Sequence, residues 1–349
     1  MRWQDRKPEG VGDVEMTDEG FRTAVEMPLS SDGYFGRECP SCHELFQMQN
    51  DEYKALPDDL CLTCPYCGHC GDHGDFMSTA HKERLRAAAA GLGHQMVHAM
   101  VSDMLSNTFG RRRPQPSNSL ISVRMSYTPG SPPPIRELPE VVEKEIRRII
   151  ECSTCHNHYG VFSASAFCPV CGPRPAAETV IDQIGSARQA LAMEDQFETD
   201  EREKLRAAGV FERFAVDALG SVVSLFELFA REQFALRVPN AESLTQSRGN
   251  IFQRLDDSAA LFAEHAALDL VGLAGTERWT RLKRAFAQRH VLQHRGGIVD
   301  ERFLDQVPDS GLRVGQRLVV RRQDAAQAVD DLDALVHAFP KGLPSDNPA

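Results

Sequence analysis

The chain has 349 residues, a net charge of −11 and 42% apolar content, enough for two or three domains with packed cores. No run of about 18 apolar residues occurs, which excludes a membrane-spanning helix, and the polar, acidic start lacks the apolar region of a secretion signal. The expected location is the cytoplasm. An acidic chain is also a poor non-specific nucleic-acid binder, so any such contact must be local. Charge is uneven: residues 1–75 hold six bases against sixteen acids, and residues 76–178 hold twelve against eight. The acidic first stretch can instead face a protein partner.

Residues 1–29 show many acids and no sustained period, and read as a flexible acidic tail. Ten cysteines in a reducing compartment, most of them in C-x2-C pairs, point to metal rather than disulfides. Over 30–75, Cys39-x2-Cys42 and Cys64-x2-Cys67 form two knuckles suited to one tetrahedral four-cysteine zinc site. Gly68 lets the second knuckle turn. Cys61 and Cys70 are spare; with Cys64 and Cys67 they make a C-x2-C-x2-C-x2-C run, which keeps an iron–sulfur cluster as an alternative. His43, His69 and His73 are substitute ligands or surface residues.

Residues 76–109 are expected to form an amphipathic helix with a stripe of Leu85, Ala89, Leu92, Met96, Met100 and Met104, widened by Val97, Val101 and Leu105, that packs on the ribbons. His94 and His98 lie one turn apart without a third ligand. Residues 110–118 are a linker with Arg111, Arg112 and Arg113. Over 119–174, Leu120–Tyr127 alternates as a strand. Cys152-x2-Cys155 and Cys168-x2-Cys171, separated by twelve residues, then form a second zinc ribbon on one hairpin. Both zinc ions are expected to be structural.

A proline-containing boundary at 172–178 precedes a helical stretch, 179–340, with a short tail at 341–349. Two long helices are expected at 179–207 and 209–237, a third capped by Asn250 and running to about Ala267, a basic helix at 276–295, an extended segment at 317–321 and a last helix from Ala325 to Phe339. The expected fold class is therefore multidomain: two small β-rich zinc ribbons with a connecting helix, then an all-α bundle.

The basic helix carries Arg278, Arg281, Lys283, Arg284, Arg289 and Arg295, and ends in Arg289-His290-Val291-Leu292-Gln293-His294 before Gly296-Gly297. A permanent guanidinium and a histidine that titrates near neutrality are a kit for phosphodiester chemistry: the first offsets charge on a phosphate, the second moves a proton. The bland alternative is a solvated basic face. Val291 stands where the glutamate of a zinc-protease H-E-x-x-H would be, so that chemistry is rejected. Asp300 and Glu301 follow the glycine pair and can approach the site.

An arginine followed by a polar residue and, five positions after the arginine, a histidine, late in an all-helical stretch, resembles the signature of the HEPN superfamily. Here it is Arg289, His290 and His294, and 296–304 (GGIVDERFL) is similar too. The resemblance spans about 179–340, under half the chain. It implies a homodimeric, metal-independent endoribonuclease. Its composite site forms when two protomers bring their Arg/His pairs together, and toxin or defence roles are common among such proteins. His294 would act as general base or acid, Arg289 would hold the phosphate, and His290 would assist; the ribbons would recognise RNA or a partner. The other reading is a non-catalytic zinc-ribbon protein that binds nucleic acid or protein, with the helices as a dimerisation scaffold.

Overall fold

The computed structural model describes residues 2–18, 20–109, 127–141 and 148–340. They form two compact units, Met1–Pro173 and Arg174–Ala349. Small sheets fill the first and helices the second. The linker 110–118, the expected strand Leu120–Tyr127 except Tyr127 itself, and the tail 341–349 lie outside the described residues.

In the first unit β1 (Glu15–Thr17) pairs with β2 (Gly20–Arg22) as a hairpin, and Val11 bridges Val25. Val11, Val14, Phe21 and Val25 pack with Ala88 and Leu92. The stretch expected to be a flexible tail therefore covers a helix; its few apolar residues are too widely spaced to show a period.

Strand β3 (Tyr34–Glu38) leads into the first knuckle and β4 (Leu45–Gln49) returns from it. A single-turn helix, α1 (Asn50–Lys54), follows, capped where the Gln49 side chain accepts from the Glu52 N–H at 2.7 Å. The second knuckle sits between β5 (Leu62–Thr63) and β6 (Cys70–Gly71). Cys61 and Cys70 are joined as a disulfide across this pair, so the expectation of metal rather than disulfides fails for these two, and the partners that gather with Cys64 and Cys67 are Cys39 and Cys42.

Helix α2 (Thr79–Phe109) exists where expected, but its buried face is different. His81, Ala88, Leu92 and Gln95 are buried, while Val97, Met100, Val101 and Met104 are exposed. Each four-residue step advances a helix by about 40° beyond a full turn. A stripe built of such steps beyond Leu92 drifts off the packed face, and Val97 and Val101 end on its far side. The packed face meets the N-terminal hairpin and Leu138.

Strands β7 (Arg148–Glu151) and β8 (His158–Val161) flank the third knuckle, and β9 (Phe167–Cys168) and β10 (Gly172–Pro173) flank the fourth. The two ribbons are not separate. Strand β4 pairs with β8, giving one four-stranded sheet in the order β3-β4-β8-β7. In that seam Gln47 opposes Gly160, and each stands five residues after the second cysteine of its own knuckle. The two halves are thus related by a local two-fold axis at this pair. The knuckles obey the same symmetry: the Thr63 N–H donates to the Pro169 carbonyl at 2.9 Å, and the Phe167 N–H donates to the Pro65 carbonyl at 3.3 Å. Tyr66 breaks it usefully. Its hydroxyl donates to Leu45 O at 2.9 Å and accepts from Phe162 N–H at 3.0 Å, bridging the two ribbons.

The second unit contains α3 (Ala176–Ala192), α4 (Thr199–Ala207), α5 (Val210–Arg237), α6 (Ala241–Gln246), α7 (Leu255–Ala266), α8 (Leu270–Ala274), α9 (Thr276–His294), α10 (Glu301–Gln306) and α11 (Arg322–Ala338). The helix expected over 179–207 is broken by a 3-10 turn at Met193–Gln196 and an extended Phe197. The N-cap of α7 is Arg254, since Ile251–Gln253 intervenes as another 3-10 turn after Asn250. Helix α5 is the axis of the core. Leu219, Val222, Phe226, Phe229 and Phe234 are buried along it, and α3, α9 and α11 pack around it. Full burial of one such side chain contributes about 1.5–3 kcal/mol. Beyond α9, Val291, Val299, Phe303 and Leu318 make a smaller cluster that fixes α10 against the end of α9. The turn between them runs through Gly296 and Gly297, both at positive φ, and the Val291 carbonyl accepts from Arg295 and Gly297. The 317–321 segment is extended, with Leu318 and Val320 buried and Val319 exposed.

Candidate functional site

Two groups of residues have the geometry for chemistry, one in each unit. In the first, Cys39, Cys42, Cys64 and Cys67 gather their sulfurs within 4.8 Å of one another, and Cys152, Cys155, Cys168 and Cys171 do the same. The Sγ···Sγ separations are 3.7 Å for Cys39–Cys67 and Cys42–Cys64, 3.4 Å for Cys152–Cys171 and 3.6 Å for Cys155–Cys168. A tetrahedral ion with sulfur ligands at about 2.3 Å sets its sulfurs about 3.8 Å apart, so either set can hold one metal ion. Backbone N–H groups of Ser41, Tyr66 and Val170 approach sulfur at 3.4 Å, as they do around bound thiolates.

Burial pushes the Cys64 and Cys168 thiols far above their ordinary range, and Cys171 up to about 12. Cys152 is opposed by burial too, but the N–H groups of Cys155 and Thr154 draw it down to about 7. Four sulfurs this close together ionise together where a cation neutralises them. All four knuckles place the residue after their second cysteine at positive φ: His43, Gly68, His156 and Gly172. Among the described residues no histidine belongs to either four-cysteine set. His73 Nδ1 lies 2.8 Å from the Tyr53 hydroxyl, His158 Nδ1 lies 2.6 Å from Glu52, and His156 Nδ1 lies 3.0 Å from Glu151.

The second group lies on α9. Its basic residues do not share one fate. Arg281 makes a two-pronged contact with the buried Asp331 at 2.7 Å, which Arg278 also approaches. Lys283 pairs with Asp256, Arg284 with Asp309 and Arg295 with Asp300. Among the described residues Arg289 has no acidic partner, and its Nε is buried without an acceptor. Five of the six are therefore the neutralised face that a bland reading expects, and Arg289 is the exception.

Arg289, His290 and His294 line one open cleft of about 690 Å³. The His290 and His294 rings are 4.9 Å apart, centre to centre. The chain between α6 and the first turn of α7, helix α9 and helix α10 all contribute to its lining. Two of the cleft's acids are engaged: Asp256 by Lys283 and Asp257 by Arg254. Burial holds His290 below the ordinary imidazole value, and the charge of Arg302 acts in the same sense, followed by His294; Asp300 opposes them. His290 is thus disposed to be the neutral, proton-accepting form near pH 7. Asp300 does not line the cleft. It pairs with Arg295 and caps α10 by accepting from the Phe303 N–H at 3.0 Å.

Arg302 and Arg248 also line the cleft and were not singled out from the sequence. Arg302 lies in the GGIVDERFL stretch beside the motif, which is a usable signal. Arg248 comes from a polar loop, and only the tertiary fold brings it there. No family model, no curated protein and no solved structure matches this chain.

Proposed function

We propose that the chain is a HEPN-type endoribonuclease, with two structural zinc ions in the cysteine sets and an RNA phosphate bound at Arg289. The observation that carries this reading is the contrast on α9. A buried guanidinium edge left without an acceptor beside two histidines calls for an anion, while every other base of the helix is paired within the fold. A phosphodiester supplies that anion, and the imidazoles supply the proton transfers.

In the reaction the substrate's 2′-oxygen attacks the adjacent phosphorus. A histidine removes the 2′ proton, the bond to the 5′-oxygen breaks, and a protonated histidine gives that oxygen a proton. His294 takes one of these roles and its copy in a second protomer the other, with His290 assisting. Arg289 holds the phosphate and offsets the extra charge of the transition state. Such a site requires a homodimer that brings two clefts together. A toxin or defence setting, and recognition of RNA or of a partner by the ribbons, complete the reading.

The test is cleavage of total RNA by the pure protein with no added divalent metal, beside His294→Ala and Arg289→Ala variants of verified fold. The expected result is cleavage by the parent and a loss of 10²-fold or more, on the order of a general acid–base contribution, in each variant. A folded dimer without cleavage would favour the scaffold reading.

A further inference from the structure

Arg289 is not the only uncommitted cation in the cleft. Arg248, on the loop after α6, and Arg302, in the first turn of α10, are exposed and have no acidic partner among the described residues, and both line the cleft with Arg289. They come from separate elements, neither of them α9. One acid, Asp305, shares the cleft without a basic partner among the described residues, so free positive charge exceeds free negative charge there.

A single arginine can hold one phosphate. Three, from three separate elements, have a different use: they follow a chain of phosphates. Folding gains nothing visible from leaving three guanidiniums unpaired in one cleft, where like charges repel and Arg302 depresses protonation of His290. An anionic strand laid along the cleft relieves that repulsion. The strand must also enter a recess, and its 2′-oxygen must swing into line with the leaving 5′-oxygen; a paired A-form backbone does neither, and unpaired RNA does both.

We infer that Arg248 and Arg302 position the phosphates on either side of the one at Arg289, so that the cleft takes a single strand of RNA across at least three consecutive phosphates. This rests on the nuclease reading for the identity of the central phosphate, but it is tested by binding alone. The probe is a single-stranded oligonucleotide of twelve 2′-deoxy residues, which carries the phosphates and lacks the attacking oxygen, titrated at several salt concentrations. Each phosphate contact on a single strand contributes about 0.7 to the slope of log affinity against log salt. Arg248→Gln and Arg302→Gln should each weaken binding about tenfold and lower that slope by about 0.7. Arg302→Lys should recover most of the slope, which a merely structural role would not produce. A duplex of the same sequence should bind more weakly.

Unchanged affinity and slope in both glutamine variants would overturn the inference, as would a duplex that binds as well as the strand. The two failures separate cleanly. Cleavage that needs His294 but ignores Arg248 and Arg302 removes this inference and keeps the nuclease. Binding that needs both arginines in a protein that cleaves nothing keeps the strand-binding cleft and removes the nuclease.

Discussion

The cysteine module and the α9 cleft are built on opposite principles. In the module every important group is set by neighbours in sequence: two cysteines three residues apart, a left-handed residue after the second, a strand on each side. In the cleft the α9 motif meets Arg248 from a distant loop, and what marks Arg289 is the lack of an acidic partner among the described residues. Local spacing announces the first kind of site. The second is visible only when every other charge has been accounted for.

The largest effect should come from the module, and it probes whether the two ribbons are one object. Cys168→Ser removes a buried sulfur from the second set, and a structural zinc contributes on the order of 10 kcal/mol to folding. Because β4 pairs with β8 and Tyr66 bridges the halves, both metal equivalents should be lost together, as counted by elemental analysis of the folded fraction. Loss of one equivalent with the first ribbon intact would show two independent ribbons.

A smaller effect compares two knuckles with the same backbone. At Gly68 φ is +73° and an added Cβ would lie 2.6 Å from the Phe167 ring. Gly68→Ala should cost about 2–4 kcal/mol from left-handed strain together with overpacking. His156 holds an equivalent conformation with φ of 57°, so His156→Gly should be neutral or stabilising by up to about 1 kcal/mol, the weak exposed contact with Glu151 being the only loss. Chemical denaturation of the metal-loaded protein reads both. A Gly68→Ala loss below about 1 kcal/mol would contradict the close approach of the Phe167 ring.

The smallest effect is electrostatic and lies in the cleft. A cation beside an imidazole disfavours its protonated form, so His290 should titrate below the ordinary histidine value by NMR, and Arg302→Gln should move that titration upward. A downward or absent movement would separate Arg302 from His290 and weaken the picture of one charged cleft.

Much of the molecule was legible in its sequence. The eight knuckle cysteines, α2, α5, α9 and the division between β-rich and helical parts follow from spacing and period. The fusion of the ribbons did not, because strand pairing between β4 and β8 depends on residues more than a hundred positions apart. Nor did the packed face of α2: Val97, Met100, Val101 and Met104 satisfy a period but stand exposed. The hairpin over Val11–Val25 was hidden by its acids. At the cleft, Arg289, His290 and His294 stood out as a motif. That Arg281 and its neighbours are neutralised while Arg248, Arg289 and Arg302 are not is a property of the fold alone.

The central claim is that the substrate's own 2′-oxygen is the nucleophile at Arg289 and His294. The direct test is analysis of the ends that the pure protein leaves on a defined RNA strand. The account predicts a 2′,3′-cyclic phosphate on one fragment and a 5′-hydroxyl on the other, and no scission where a single 2′-deoxy residue replaces the nucleotide before the cut. Fragments ending in 3′-hydroxyl and 5′-phosphate, or scission that persists beside the deoxy residue, would mean that water attacks, and would contradict it.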